Sequence, residues 1–553
     1  MIQELPDELL CMIISHALEG TTGDVSTLRA LEATCRCLRT VSSGNEHWED
    51  PCLELYKDME MTSKEIESVK DHRYMYYRQM SMFTAVPNLL DMAVNNPTKR
   101  YDALMELASY GPFARMPLHD VLLGDPTMFS HQFYASHSFN SLLISRHMKR
   151  LAAIASDSNA DAVSLIEAYH AFNSMVRREG LTMPQIFALP LDVTLMERDG
   201  IDLSLPALSR AAVLCQKFGF PLGNFATTKV DFLTDTSMKN LSDVTMAGLV
   251  AYYGRRYAGL DVSIACLPFQ AFPRIKVGPQ EYVYVDMLQE QPLISHAELI
   301  DRCERHDFDE SAIDRSISVQ AVGEALTRDT MTTAREFAMQ IVSQSKTKGI
   351  GNVPRIADSF FRLMIVKILF GQDKNQVIDA VWCASYVISH LWYQRPALLA
   401  TLYDISPKYA RHIVLDHGPI LKQNLVPDYS RDNMGLDINP SVMDSRMLSA
   451  PLYAVGQPVT RNNRDNCIVL FQGPGFYLVI SEIDGLVCAN EQELTPYSYM
   501  VALSYDKIGE YFSGFDRATG LYIIGVDLAK ALEQDRRLNN SFLNPPTNRP
   551  VVV

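Results

Sequence analysis

A thiol attacks at neutral pH only when a base or a positive environment holds it as thiolate, and a hydroxyl depends on such a base even more. The 553-residue chain offers 10 cysteines and 13 histidines for building such a site. Thr245 stands at the start of the helix-like stretch TMAGLVAYYGRRYAGLDV and Cys266 lies close to Gln270, yet no histidine lies close in sequence to the Leu267-Pro268-Phe269-Gln270 loop. Without a base both read as core or cap residues. Cys215 reads the same way, because Leu208, Ala211, Cys215 and Phe218 fall on one face of a helix through LSRAAVLCQKFGF. The cysteines are scattered singly apart from Cys35 and Cys37, with no C-x-x-C pair. That pattern predicts reduced, mostly buried thiols, no zinc site and no cofactor.

The elements that must position these residues follow from length and periodicity. A chain this long exceeds what one core organises, so three or four structural units are expected. Hydrophobic residues at 47% and charged residues at 21% are the balance of globular domains. The net charge of -15 argues against general nucleic-acid binding, which draws its affinity from clustered Lys and Arg. No window is an uninterrupted apolar run: Asp379 and His390 break VIDAVWCASYVISHLW, so no membrane span is expected. The N-terminus lacks the pattern of a secretory signal, which predicts an intracellular protein, cytoplasmic, nuclear or both.

The fold class expected is multidomain α+β. Residues 1–56 read as a small helical module, in which Leu5, Leu9, Ile13 and Ala17, with Leu10, Ile14 and Leu18 beside them, form a broad apolar helical face. A second helix carries Leu28, Leu31, Cys35 and Leu38, and Trp48 follows a polar turn. Residues 85–310 read as a mostly helical body with a small sheet. In its strand, Tyr282, Tyr284 and Asp286 share one face, and Val283, Val285 and Met287 the other. Residues 311–445 contain strongly apolar helical blocks without a fixed repeat, and VPDYSRDNMGLDINPSVMDS reads as a domain boundary. From 450 to 535, CIVLFQ, Gly473-Pro474-Gly475, FYLVIS and Asp484-Gly485 predict a small antiparallel barrel or sheet, with a flexible tail over 540–553.

Three resemblances add to this reading. Leu5-Pro6-Asp7-Glu8-Leu9, then Ile13, Leu18, Leu28, Leu31, Cys35-Arg36, Leu38 and Trp48, resembles the F-box pattern across residues 4 to 56. By that resemblance, Leu5, Pro6, Leu9, Ile13, Leu31, Cys35, Leu38 and Trp48 would bind a Skp adaptor, and through it a cullin-RING scaffold. Gly219-Phe220-Pro221-Leu222-Gly223-Asn224, Thr236-Ser237, TMAGLVAYYGRRYAGLDV, Leu267-Pro268-Phe269-Gln270 and YVYVDML together resemble a SirB-type transglutaminase-like domain. That family's Cys-His-Asp triad would fall on Met246, Gln270 and Asp286, and neither a thioether nor an amide can do the work of Cys or His. The resemblance thus implies a degenerate domain with no catalytic residues.

Tyr453-Ala454-Val455-Gly456-Gln457, Gly475-Phe476-Tyr477-Leu478-Val479, Ala489-Asn490-Glu491 and Ile508-Gly509-Glu510-Tyr511-Phe512 are similar to the YccV/HspQ-type domain, which carries a hemimethylated-DNA-binding label. Residues 450–553 hold 8 Lys/Arg against 11 Asp/Glu, the wrong sign for a phosphate surface. These three domains in this order are found together in one type of F-box receptor. The function implied is a non-catalytic receptor that brings an unidentified protein substrate to a Skp-cullin-F-box ubiquitin ligase. A transglutaminase-like or cysteine-hydrolase enzyme and a hemimethylated-DNA-binding module are the alternatives.

Overall fold

The computed structural model describes residues 9–12, 14, 25–34, 46–59, 61, 66–157, 159–176, 201–218, 243–344, 353–371, 395–411, 452–473, 476–483, 485–501, 503 and 508–543. The chain is a mixture of helices and antiparallel sheets in two compact units: residues 1–142 together with 425–553, and residues 143–424.

At the start of the first unit, residues 9–12 are helical, followed by α1 (Val25–Thr34), α2 (Glu46–Asp58) and the long α3 (His72–Asn95). Asp71 caps α3 by accepting the Tyr74 N–H at 2.8 Å. Leu10, Ile14, Leu28, Trp48, Cys52 and Tyr56 form one core, and Met75 and Tyr76 of α3 pack against it. Trp48 is 0% exposed, its ring 5.4 Å from that of Tyr76 and 5.7 Å from that of Tyr77. Buried Glu32 of α1 accepts from the Tyr77 hydroxyl and, at 2.8 Å, from Arg73 Nε. The small helices are therefore seated on their own chain.

Then come α4 (Arg100–Ser109), α5 (Arg115–Leu123) and α6 (Phe129–Ser156). Arg100, 1% exposed at the start of α4, donates from Nε to the Ala93 carbonyl at 2.6 Å.

In the second unit, α7 (Ala162–Val176), α8 (Ala207–Phe218) and α9 (Asp243–Ala258) precede a four-stranded antiparallel meander. Its strands are β1 (Val262–Cys266), β2 (Ala271–Lys276), β3 (Tyr282–Val285) and β4 (Leu293–Ser295). Next are α10 (His296–Arg305), α11 (Val319–Gln344), α12 (Val353–Phe370) and α13 (Arg395–Ile405). Ser295 and Glu298 close a capping box on α10.

Strand alternation divides the meander between two cores. Val262, Ile264, Ile275, Val285 and Met287 join the helices α7, α9, α11 and α12, whereas Ala265, Phe272, Tyr284 and Ile294 meet Leu299 and Cys303 of α10. The separation of Tyr284 from Val285 and Met287 is the one the YVYVDML pattern predicts. Close helix packing needs glycine at Gly248, where a Cβ would come 2.5 Å from an Ile166 methyl, and at Gly323, where it would come 2.1 Å from the Phe370 ring.

In α8 the buried stripe is Ala211, Leu214 and Cys215, while Leu208 is exposed. The expected inward face is thus correct for Ala211 and Cys215 and wrong for Leu208, which sits in the first helical turn. Helical blocks expected around 331–345 and 354–370 fall in α11 and α12, while the block at 375–394 and the boundary at 426–445 lie outside the described residues.

The C-terminal segment returns to the first unit. It forms a five-stranded antiparallel sheet, in the order β8-β7-β6-β5-β9, from β5 (Pro458–Arg461), β6 (Asp465–Gly473), β7 (Phe476–Ser481), β8 (Gly485–Asn490) and β9 (Leu494–Pro496). The hairpin of β10 (Phe512–Asp516) and β11 (Leu521–Ile524) and the helix α14 (Val526–Leu543) follow. The α14 helix takes in residues 540–543, which the sequence assigns to the tail.

One sheet face packs Val459, Cys467, Val469, Tyr477 and Val479 with Tyr453. The other packs Ile468, Leu470, Leu478 and Ile480 with Ile508, Phe512, Tyr522 and Leu528, and with Phe129 from the start of α6. Ser130 Oγ donates to the Gly509 carbonyl at 2.7 Å, and Arg100 meets buried Asp527 of α14 at 2.7 Å. Within this unit the two ends of the chain share buried apolar and ionic contacts. Among the described residues no helix is long and apolar enough to cross a membrane.

Candidate functional site

The positions singled out for chemistry gather at one end of the meander in the second unit. Asp243, in the first turn of α9, accepts the Val244 N–H at 3.0 Å and the Ala271 N–H at 2.6 Å. One carboxylate therefore ties the start of α9 to the residue next to Gln270. Met246 lies three residues further along α9, buried in the same core as Ala271 and Cys266. Gln270 Nε2 donates to Asp286 Oδ1 at 3.1 Å. Asp286, 1% exposed just past the end of β3, also accepts the Leu288 N–H at 3.0 Å and is ion-paired to Arg302 of α10.

Among the described residues, the groups bonded to Asp286 are all donors. An amide donates to the carboxylate but cannot take a proton from a nucleophile, and a guanidinium offers donors and no acceptor. The thiols nearby are poorly suited to attack. Burial first, and then the negative charge of Asp243, push the Cys266 thiol up to about 12, and burial likewise pushes Cys215 up to about 12. Both stay protonated at neutral pH, the reverse of an activated cysteine. Thr245 is buried beside Met246. Among the described residues no group of three or more His, Cys, Asp or Glu side chains is placed to hold a metal ion.

Arg302 and Asp243 are missing from the sequence reading. The signal for Asp243 is an acidic residue opening an apolar helix in SDVTM, where the positive end of the helix dipole favours it. Arg302 has no such signal, because its partner lies 16 positions away, just past the end of β3.

The second candidate site is the N-terminal helical surface. Leu10, Ile14 and Leu28 are sealed in their own core, whereas Leu9 is 45% exposed and Met12 66% exposed; Leu53 of α2 is also exposed, and Leu31 is half-buried. Trp48, expected among the adaptor-binding residues, is instead wholly enclosed against α3. Periodicity marks it as apolar but does not say which surface covers it. Leu5, Pro6, Ile13, Cys35 and Leu38 lie outside the described residues.

No protein family, curated protein or solved structure matches the chain.

If the Gln270–Asp286–Arg302 network is purely structural, placing a thiol and an imidazole beside it should not create chemistry. The double variant Met246→Cys with Gln270→His is expected to show no transamidase or peptidase turnover above wild type, because Arg302 already occupies Asp286. A burst of acyl-enzyme with an activated ester substrate is the measurement that checks this.

Proposed function

We propose that this chain is a substrate-receptor subunit of a Skp-cullin-F-box ubiquitin ligase: its N-terminal helices hold the Skp adaptor, and the remaining domains present a protein substrate. The observation that carries the reading is the divided first helix, which seals Leu10 and Ile14 on its own chain and leaves Leu9 and Met12 in solvent. An apolar strip on a helix already anchored from behind has the geometry of helix docking onto a foreign apolar surface. The receptor itself then carries out no covalent step, and rate enhancement comes from proximity within the assembled ligase. The degenerate Met246-Gln270-Asp286 set fits a SirB-type fold kept for shape, and the acidic C-terminal part fits protein recognition better than DNA recognition. A receptor of this kind acts in the cytoplasm or nucleus, where its adaptor and scaffold reside.

The test is capture of purified Skp adaptor by the full chain and by Leu9→Asp. Leu9 is exposed, so the substitution leaves the melting temperature within a few degrees of wild type. A buried carboxylate at the interface is expected to weaken adaptor binding at least ~100-fold. Equal capture by both proteins, or by neither, refutes the proposal.

A further inference from the structure

Among the described residues the strand β8 ends its sheet, paired on one side by β7 alone. Its register with β7 runs without a shift from Ser481↔Gly485 to Phe476↔Asn490. The Asn490 N–H does not point at β7, because it donates to Glu493 Oε2 at 3.0 Å. In an antiparallel ladder, hydrogen-bonded and non-hydrogen-bonded pairs alternate. Counting back by twos, Cys488 and Leu486 also turn their N–H and C=O groups away from β7. Beyond the ladder itself, no backbone hydrogen bond from residues 485–490 reaches another backbone group among the described residues. The side chains of Leu486 and Cys488 are exposed, as is Ile483 in the preceding turn. They lie opposite Ile480 and Leu478, whose side chains belong to the covered core of the same sheet.

Such an edge accepts a further strand through main-chain hydrogen bonds. Charge decides what strand that is. The stretch 482–493 carries Glu482, Asp484, Glu491 and Glu493 and no Lys or Arg. A second copy of this chain pairing antiparallel would bring acidic ends together, which is unfavourable. A cationic strand would instead meet an acidic group at both ends.

We propose that the β8 edge is a docking site for an extended, lysine- or arginine-bearing segment of a partner protein, added as a sixth strand beside Leu486 and Cys488. This deepens the receptor reading and rests on it for who supplies the segment: it names the class of sequence a recruited substrate presents.

The probe is a fluorescein-labelled peptide of alternating lysine and valine, and the readout is anisotropy with the full chain. Saturable binding is expected, weakening as salt rises. Leu486→Pro removes an N–H that faces away from β7, and Leu486→Lys adds a repelling charge at an exposed side chain. Each should weaken binding at least ~10-fold, through the lost edge bond or the added repulsion. Saturating peptide should also slow alkylation of Cys488, followed by peptide mapping.

Absence of binding, binding by both variants as tight as by wild type, equal binding of a glutamate-valine analogue, or unprotected Cys488 overturns the proposal. So does a wild-type homodimer that Leu486→Lys dissolves, since the edge would then serve a second copy. Adaptor capture is unaffected by either Leu486 variant, so failure here and failure of the receptor reading are told apart.

Discussion

Arg100→Ala is expected to destabilise the first unit by about 3–5 kcal/mol, the cost of leaving a buried carboxylate without its counter-ion. Arg100 and Asp527 are both almost fully enclosed, and their ion pair at 2.7 Å joins the start of α4 to the start of α14. Among the described residues the second carboxylate oxygen, Asp527 Oδ1, has no hydrogen-bond partner, which leaves Arg100 as the described cation paired with that charge. The substitution also strips the Ala93 carbonyl of its donor and removes the cation lying 5.2 Å from the Tyr134 ring centre.

Nearby Glu510 sharpens the expectation. Burial first, and then the charge of Asp527, push its carboxyl up to about 7, while Arg100 pulls it down. A carboxyl raised in the folded state stabilises below its unfolded value of 4.5, and that contribution is lost as pH rises through about 7. Losing Arg100 raises the folded value further, so the deficit of Arg100→Ala is smaller at pH 5 than at pH 8. Denaturant unfolding at the two pH values measures both magnitude and sign. An Arg100→Ala protein as stable as wild type at pH 8 contradicts the role assigned to this pair.

Trp48→Ala is expected to cost about 3–5 kcal/mol, the range for emptying a fully buried aromatic site. The indole is enclosed between the N-terminal helices and the Tyr76 and Tyr77 rings of α3. Its loss should loosen residues 9–58 from α3, raising amide exchange in α1 and α2 before the rest of the unit opens. On the proposed receptor reading, adaptor binding falls as a consequence. The contrast with Leu9→Asp separates the two roles: Trp48→Ala loses stability and binding together, whereas Leu9→Asp loses binding alone. If Trp48→Ala unfolds no earlier than wild type yet loses the adaptor, Trp48 belongs to the docking surface after all.

What the sequence made legible was local. Period-two alternation in YVYVDML separates Tyr284 from Val285 because each strand residue reports its own face. The CIVLFQ and FYLVIS segments become β6 and β7 for the same reason. Partners distant along the chain were not legible. Arg100 lies more than four hundred residues from Asp527, and nothing in either local pattern points to the other. Trp48 stands among the adaptor-binding positions by resemblance; an apolar residue in a small module signals burial without naming the surface, and α3 supplies that surface. Leu208 misled because helical spacing alone does not show where the packing partner ends. Asp286 was recognised, but the Arg302 that neutralises it came from a helix whose pairing with the strand is tertiary.

The receptor account turns on which apolar groups near the N-terminus remain available to another protein. Hydroxyl-radical footprinting of the free chain and of its mixture with Skp adaptor reads this at Met12, 66% exposed in the chain alone. The account predicts rapid Met12 oxidation in the free protein, strong protection in the complex, and an unchanged, slow rate at enclosed Trp48 in both. Met12 oxidising equally fast with saturating adaptor would contradict it.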